Sequence, residues 1–305
     1  MFKRDAIISD PSGSAKWQHG LPVATLLFAA TLWGISWYPI RFLEDSGIDG
    51  LWVSLLVYSG TLLVALPFIF KYRYDFINNK WSLFVIAVLV GWLNIAFILA
   101  VLEGQIVRVL LLFYLSPVWA ALLGWLILKE QMHVYAWFMI VVAMVGAVIM
   151  LWSPELGMPL PKDRADWLAL SSGFCFAFAN MMIRRTEQVP IVVKTITGWL
   201  GVVLVSGLLI IITQTPAGLL TLSNVSWSLL YGIFGMTLMT LSVVYGVSHM
   251  PIHRSSVILL FEIVVGAVSA VWLANESIHL QEWWGGSLVI FAAYLSARLE
   301  IKEEA

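Results

Sequence analysis

The stretch QIVRVLLLFYLSPVWAALLGWLILKEQMHVYAWFMIVVAMVGAVIMLW, residues 105–152, is written a second time as PIHRSSVILLFEIVVGAVSAVWLANESIHLQEWWGGSLVIFAAYLSAR, residues 251–298, at a constant offset of 146. Arg108, Val118, Ala121, Glu130, His133, Trp137 and Ala147 recur as Arg254, Val264, Ala267, Glu276, His279, Trp283 and Ala293. Both copies are built of apolar runs as long as a bilayer is thick, so the duplication predicts a membrane protein of two related halves. Proteins of that construction usually carry something across the membrane.

Working outward, the composition fixes the solvent. The chain is 61% hydrophobic and 11% charged, against the roughly half-apolar, quarter-charged make-up of soluble domains. Its surroundings are lipid. A net charge of -1 and the lack of a basic patch with interleaved aromatics argue against nucleic-acid partners. One cysteine, Cys175, can form neither an internal disulfide nor a thiolate cluster.

With a ruler of about 20 residues per span, ten helices follow, at 21–43, 50–70, 81–102, 105–128, 131–152, 165–185, 190–213, 226–248, 252–275 and 281–299. The proline-rich and charged run SPELGMPLPKDRAD, Ser153 to Asp166, divides them five and five, because Pro154, Pro159 and Pro161 cannot continue a helix. The expected organisation is a cytoplasmic amino-terminal segment at 1–20, a first five-helix repeat at 21–152, a linker at 153–164, a second repeat at 165–299 and a cytoplasmic tail at 300–305. Lys and Arg gather in cytoplasmic loops. An amino terminus inside places Lys3, Arg4, Lys16, Lys71, Arg73, Lys80, Lys129, Arg184, Arg185, Lys194, Arg254, Arg298 and Lys302 there, and leaves Arg41, Arg108, Lys162 and Arg164 outside. Both termini are then cytoplasmic, in the inner (cell) membrane. Five spans per half turn the second copy upside down, so the fold class is an all-α integral membrane protein of ten transmembrane helices in two inverted five-helix repeats.

Three segments carry a resemblance. WGISWYPIR, Trp33 to Arg41, resembles the first-helix signature of the EamA-type members of the drug/metabolite transporter superfamily. FYLSPVWAALLGWLILKE, Phe113 to Glu130, is similar to that family's fourth helix, and LLFEIVVGAVSAVWLANE, Leu259 to Glu276, to its ninth. The resemblance covers residues 21–299 and implies a ten-helix secondary transporter working by alternating access, commonly an exporter of small metabolites. The family's proline after the mid-helix Glu is Ile263 here, and the positions of Arg108 and Arg254 are usually small or apolar in the family. No phosphate-binding G-x-x-x-x-G-K-[ST] loop is present, so transport would draw on ion or substrate gradients.

Glu262 is the first site candidate. A carboxylate in mid-span is costly unless neutralised or facing water, so it reads as a proton-coupling group, a contact for a substrate's cation, or a packing residue hydrogen-bonded to a neighbour. Trp33, Trp37, Trp92, Tyr114 and Trp119 lie away from the interfaces where Trp collects, and they either wall a pocket or fill helix contacts. Asn94 and Asn180 need partners that lipid cannot supply, from a neighbouring helix or from a substrate. If helices four and nine pack antiparallel, Arg108 approaches Glu276 at one mouth and Arg254 approaches Glu130 at the other. They would form two gates that close in turn, or four headgroup anchors.

His133, His279, His249 and His253 lack metal-ligand spacing, so neither metal nor cofactor is expected. Gly285, Gly286, Ala292, Ala293 and Ser296 in helix ten permit close contact within the bundle or in a homodimer. One mid-span acid with aromatics and no mid-span base favours neutral, zwitterionic or cationic solutes such as amino acids, amines or drugs. A nucleotide-sugar or organophosphate exchanger is the alternative, and it would want a mid-span cation. A membrane enzyme lacks its motif here, H-E-x-x-H or G-x-S-x-G, and a receptor would leave the midspan Glu and the duplication without a reason.

Overall fold

The computed structural model describes residues 11–104, 106–152, 161–274 and 280–298, and the regular elements within them are all helical. Among the described residues ten longer helices form the bundle. They are α1 (Gly20–Asp45), α2 (Gly50–Lys71), α3 (Lys80–Val101), α4 (Arg108–Leu128), α5 (Val134–Leu151), α6 (Arg164–Arg185), α7 (Ile191–Thr213), α8 (Leu222–Ser248), α9 (Ile252–Leu273) and α10 (Leu280–Arg298). The first nine are long and apolar enough to cross a membrane, and α10 holds a shorter apolar stretch, Trp283–Ser296. The glycines and serines that let α10 pack closely also dilute its apolar run.

Local chemistry sets several starts. Asp49 caps α2 by accepting from Leu51 N–H at 2.9 Å, and Asp163 caps α6 through Asp166 N–H at 2.9 Å. Thr221 does the same for α8 through Asn224 N–H, so α8 begins at Leu222 rather than near 226. At the close of α4 a π-helical turn, Gly124–Leu128, runs into Lys129 with φ 55°, and the chain spends several residues turning before α5 starts at Val134 rather than 131.

The pairing of helices carries the duplication into three dimensions. In the packing, α3 lies on α6 as α8 lies on α1, α4 on α6 as α9 on α1, and α7 on α3 as α2 on α8. The mates α2 and α7 pack on each other, and so do α5 and α10. Contacts also fix direction. Glu130 at the end of α4 meets Ile252 at the start of α9, so these mates run antiparallel. In contrast α4 runs parallel to α6, joined at Arg108 and Asp166, and α9 runs parallel to α1. The second repeat is therefore inverted relative to the first.

Two crossings show the same device used twice. Gly60 on α2 faces Gly232 on α8, and their counterparts 141 residues on or back, Gly201 on α7 and Gly91 on α3, face each other likewise. A Cβ at Gly60 would lie 2.5 Å from Leu229 O and one at Gly91 2.6 Å from Gly201 O, so backbone rests on backbone. Lipid tails are as apolar as leucine, and close van der Waals approach of this kind is what holds membrane helices together. Outside, Phe70, Ile211, Leu222, Trp81 and Trp272 are strongly exposed, the reverse of a soluble protein's habit and the expected dress of a lipid-facing surface. Gly285, Gly286, Ala292, Ala293 and Ser296 are buried, and Gly285 lies against Gly146 of α5, so this strip of small residues is used inside the bundle.

Candidate functional site

Three helices break in mid-span, and the breaks meet. In α1 the helix interrupts at Ser36, whose N–H and Oγ both reach back to Trp33 O, three residues before Pro39, which has no N–H to continue the ladder. In α4 Pro117 leaves Phe113 O without its i+4 donor, and the chain tightens so that Leu115 N–H turns back to Leu112 O. Gly173 of α6 lets that segment approach, since a Cβ there would sit 2.5 Å from Phe113 O. The break in α9 falls at Leu260, the repeat mate of Tyr114. There Leu260 N–H bonds Val257 O and Ile263 N–H bonds Leu260 O, both three-residue bonds. Ile263 occupies the position of Pro117, so α9 keeps the interruption of its mate without a proline.

Glu262 lies in the first turn after the α9 break, where the N–H groups of a new helix segment favour negative charge. Its Oε1 accepts from Tyr114 Oη at 3.1 Å, joining the two broken mates α9 and α4. Tyr114 is 8% exposed, while Glu262 keeps partial exposure between buried Leu260 and Ile263. Beside it α1 crosses α9 closely, since a Cβ on Gly34 would sit 2.8 Å from Glu262 O and 2.9 Å from Gly266 N. Trp37 Nε1 donates to Ser269 Oγ at 2.8 Å, and Ser269 Oγ in turn lies 3.1 Å from Gly34 O. Tyr114 is edge-on to Phe113, which meets Phe97 and Phe176, so aromatic rings from α3, α4 and α6 extend from the carboxylate.

The remaining predicted residues divide between this junction and its flanks. Trp33, one turn before Trp37, diverges from it at the α1 break and packs with the cluster of Tyr58 and Trp199. Asn94 Oδ1 accepts from Tyr58 Oη at 3.2 Å and its Nδ2 donates to Val90 O, binding α3 to α2. Trp92 lies on the α3–α6 seam, 41% exposed, with Nε1 3.3 Å from Ser171 Oγ. Trp119 stands edge-on to Phe174. Its Nε1 and the Nδ2 of buried Asn180 are donors without a protein acceptor, on the neighbouring helices α4 and α6.

At the ends of the bundle lie the charges expected to form the two gates. Arg108 is 6% exposed and forms a bidentate pair with Asp166, which is 2% exposed, through Nε at 2.7–2.8 Å and Nη2 at 2.7 Å. Glu276 falls outside the described residues, so the Arg108–Glu276 contact is not placed. At the opposite mouth the Arg254–Glu130 pair is not formed. Glu130 accepts from Ile252 N–H at 3.2 Å and lies 3.3 Å from His253 Nδ1, while Arg254 donates to Ser296 O on α10. One residue along a helix turns a side chain by about 100°, which is why His253 faces α4 and Arg254 faces α10. Arg108 with Asp166 and Glu130 with Ile252 each link the first repeat to the second, one at each end.

Nothing in the sequence marks Asp166 and Lys194 as buried charges, yet both are. Asp166 follows three residues after a capping aspartate, a spacing that reads as solvated helix start, yet it is a buried counter-ion. Lys194 is 1% exposed, and its Nζ donates to Ile183 O, Ser248 Oγ and, at 3.4 Å, Thr186 O, closing the last turns of α6 and α8 together. Among the described residues no group of His, Cys, Asp and Glu gathers as metal ligands would.

Comparison with known proteins places this architecture. A solved crystal structure, described only as that of a protein, superimposes with a TM-score of 0.77 at 15% identity over 93% of this chain and 99% of its own, which establishes a shared fold. No curated protein matches the sequence. The EamA-like transporter family matches twice, over residues 21–152 and 163–298, the stretches that hold α1–α5 and α6–α10. With both repeats matched across nearly its whole length, the chain belongs to the EamA-like transporter family.

Proposed function

We propose that this protein is a secondary active transporter that moves small solutes, such as metabolites, amino acids or drugs, out of the cell by alternating access. The reading places it in the inner membrane with both termini in the cytoplasm. The observation that carries it is the Tyr114–Glu262 hydrogen bond at the junction of three broken helices. Interrupted helices supply backbone polar groups at membrane depth, where they are tolerated when they line a cavity or protein core. An intramembrane carboxylate there suits either a proton or a cationic group on the substrate.

Orientation is supported by the charges. The end of the bundle with Lys71, Arg73, Lys80, Lys129, Arg184 and Arg185 is the cationic one, and the Arg108 end is poorer in Lys and Arg. Alternating access is supported by two inter-repeat contacts of α4, Arg108–Asp166 and Glu130 with the start of α9, at opposite ends. A phosphate exchanger is disfavoured because Arg108 already binds a carboxylate and Lys194 already binds helix ends.

Reconstituted vesicles test the reading with a panel of cationic, zwitterionic and neutral solutes, with and without a proton gradient, for wild type and Glu262→Gln. Loss of gradient dependence with retained exchange assigns Glu262 to coupling, and loss of binding assigns it to substrate contact. Wild-type behaviour in Glu262→Gln would reduce the residue to packing and remove the main support.

A further inference from the structure

We infer that the groove at the end of α4 is a binding site for a bilayer phospholipid, with the lipid phosphate on Lys129. The groove has a volume of about 820 Å³ and lies between the last turn of α4 and the start of α5, lined by Leu122, Trp125, Leu126, Lys129, Glu130, Gln131 and Trp137. Three features bear on this assignment.

The first is the backbone at Lys129. With φ 55° and ψ 30° it closes the π-helical turn in the left-handed region, where a side chain is costly and glycine is the usual choice. A cationic residue is held there nonetheless. Gln214 closes α7 in the same conformation, so the backbone serves as a helix cap and fixes where the Lys129 ammonium stands.

The second is charge. Lys129 has neither an ion pair nor a hydrogen bond to another described side chain. Its neighbour Glu130 does not neutralise it, because that carboxylate turns inward to Ile252 N–H and His253. The groove thus presents one free ammonium with the amide of Gln131 beside it, complementary to a phosphate diester. The repeat mate of Lys129 is Asn275, so the cation is a property of the first repeat alone.

The third is the wall. Trp125 is 56% exposed, Trp137 39% and Leu126 62%, at the very end of a span. Exposed indoles at that depth sit at headgroup level, and the leucines below continue into the lipid-facing surface, where acyl chains run. A free anion would gain nothing from those walls. A lipid uses them and the ammonium together.

Native mass spectrometry of the purified full chain in detergent tests the site, titrating phosphatidylglycerol against diacylglycerol with the same acyl chains. Wild type is expected to retain one phosphatidylglycerol in preference to diacylglycerol. Lys129→Gln should weaken retention about fivefold, the usual contribution of one cation near an anionic lipid surface, and Lys129→Arg should restore it. Lys129→Gly removes the charge while suiting the left-handed backbone, so its loss of lipid cannot be ascribed to misfolding. Lys80→Gln, at the same end but outside the groove, should bind as wild type does. Equal retention of diacylglycerol, wild-type retention by both neutral variants, or displacement of the lipid by inorganic phosphate at matched concentration would each overturn the inference.

Discussion

Replacing Gly201 with alanine probes the close crossing of α7 on α3, and Gly207→Ala, six residues along the same helix, is its internal control. A Cβ on Gly201 would lie 2.7 Å from Ala87 C and 2.8 Å from Ala87 Cα, about 1 Å inside the ~3.5–4.0 Å separation at which carbon atoms attract. The obstacle is backbone, so the helices must part, and overpacking of this kind costs about 1–3 kcal/mol. Alanine returns about 1 kcal/mol of helix propensity, which leaves a net loss of up to ~2 kcal/mol. At Gly207 the added Cβ would meet Leu55 Cδ1 at 4.0 Å, an ordinary contact, so that variant keeps the propensity gain. The two should differ by ~3 kcal/mol at most, or roughly two orders of magnitude in the folding equilibrium. Reversible unfolding in mixed micelles at rising dodecyl sulfate fraction, followed by tryptophan fluorescence, measures the gap. Variants that unfold within ~0.5 kcal/mol of each other would refute the account of backbone contact as the glue between these repeats.

Three further outcomes follow from single contacts. Tyr114→Phe removes the donor to Glu262, which should cost about 1 kcal/mol in the unfolding assay and slow vesicle transport roughly tenfold; unchanged transport would detach Tyr114 from the site. Lys194→Met strips the cation from Ile183 O and Ser248 Oγ and should destabilise the bundle by about 2–4 kcal/mol, against a negligible change for exposed Lys80→Met in the same unfolding assay. Trp37→Phe keeps the ring but loses the bond to Ser269, with an expected cost of about 1 kcal/mol; a Ser269→Ala background should erase that cost, and additivity of the two would show the bond to be incidental.

Periodicity and duplication made the architecture legible, because a bilayer imposes one length on every span and an odd number of spans imposes inversion. The antiparallel packing of α4 on α9 followed from the same reasoning, and so did attention to Glu262, since a mid-span carboxylate is conspicuous in any apolar run. What could not be read was that Asp166 would join Arg108, since α4 and α6 converge where Gly173 admits Phe113 O, and that approach does not follow from spacing along one helix. Likewise His253 rather than Arg254 faces Glu130, a choice made by the rotation of α9 about its axis. Pro117 announced the break in α4, but no residue announces the break in α9, where Ile263 could have continued the helix; packing on α1 beside Gly34 accompanies it instead. Lys194 reads in sequence as one more interfacial cation, whereas in the fold its ammonium ties the end of α6 to that of α8.

On the proposed alternating-access reading, two of the contacts between repeats at the bundle's ends make opposite demands on the transport cycle, and that opposition is measurable. The Arg108–Asp166 pair joins α4 to α6, and the Glu130 contact joins α4 to the start of α9, so α4 is held at both ends by the second repeat. Opening toward one side requires one contact to part while the other stays. Asp166→Asn weakens the charge-assisted bonds at the Arg108 end, and Glu130→Gln does so at the other, each by an expected 1.5–3 kcal/mol or so. A bias of about 1.4 kcal/mol already shifts a two-state population tenfold. With Cys175 replaced by serine and a single cysteine placed at Ser116, the repeat mate of Glu262, membrane-impermeant maleimide can be applied from either side of oriented vesicles. Asp166→Asn should speed labelling from the Arg108 side and slow it from the other, and Glu130→Gln should do the reverse. Were both substitutions to speed labelling from one and the same side, the contacts would be plain fasteners and the movement of α4 between them would have to be abandoned.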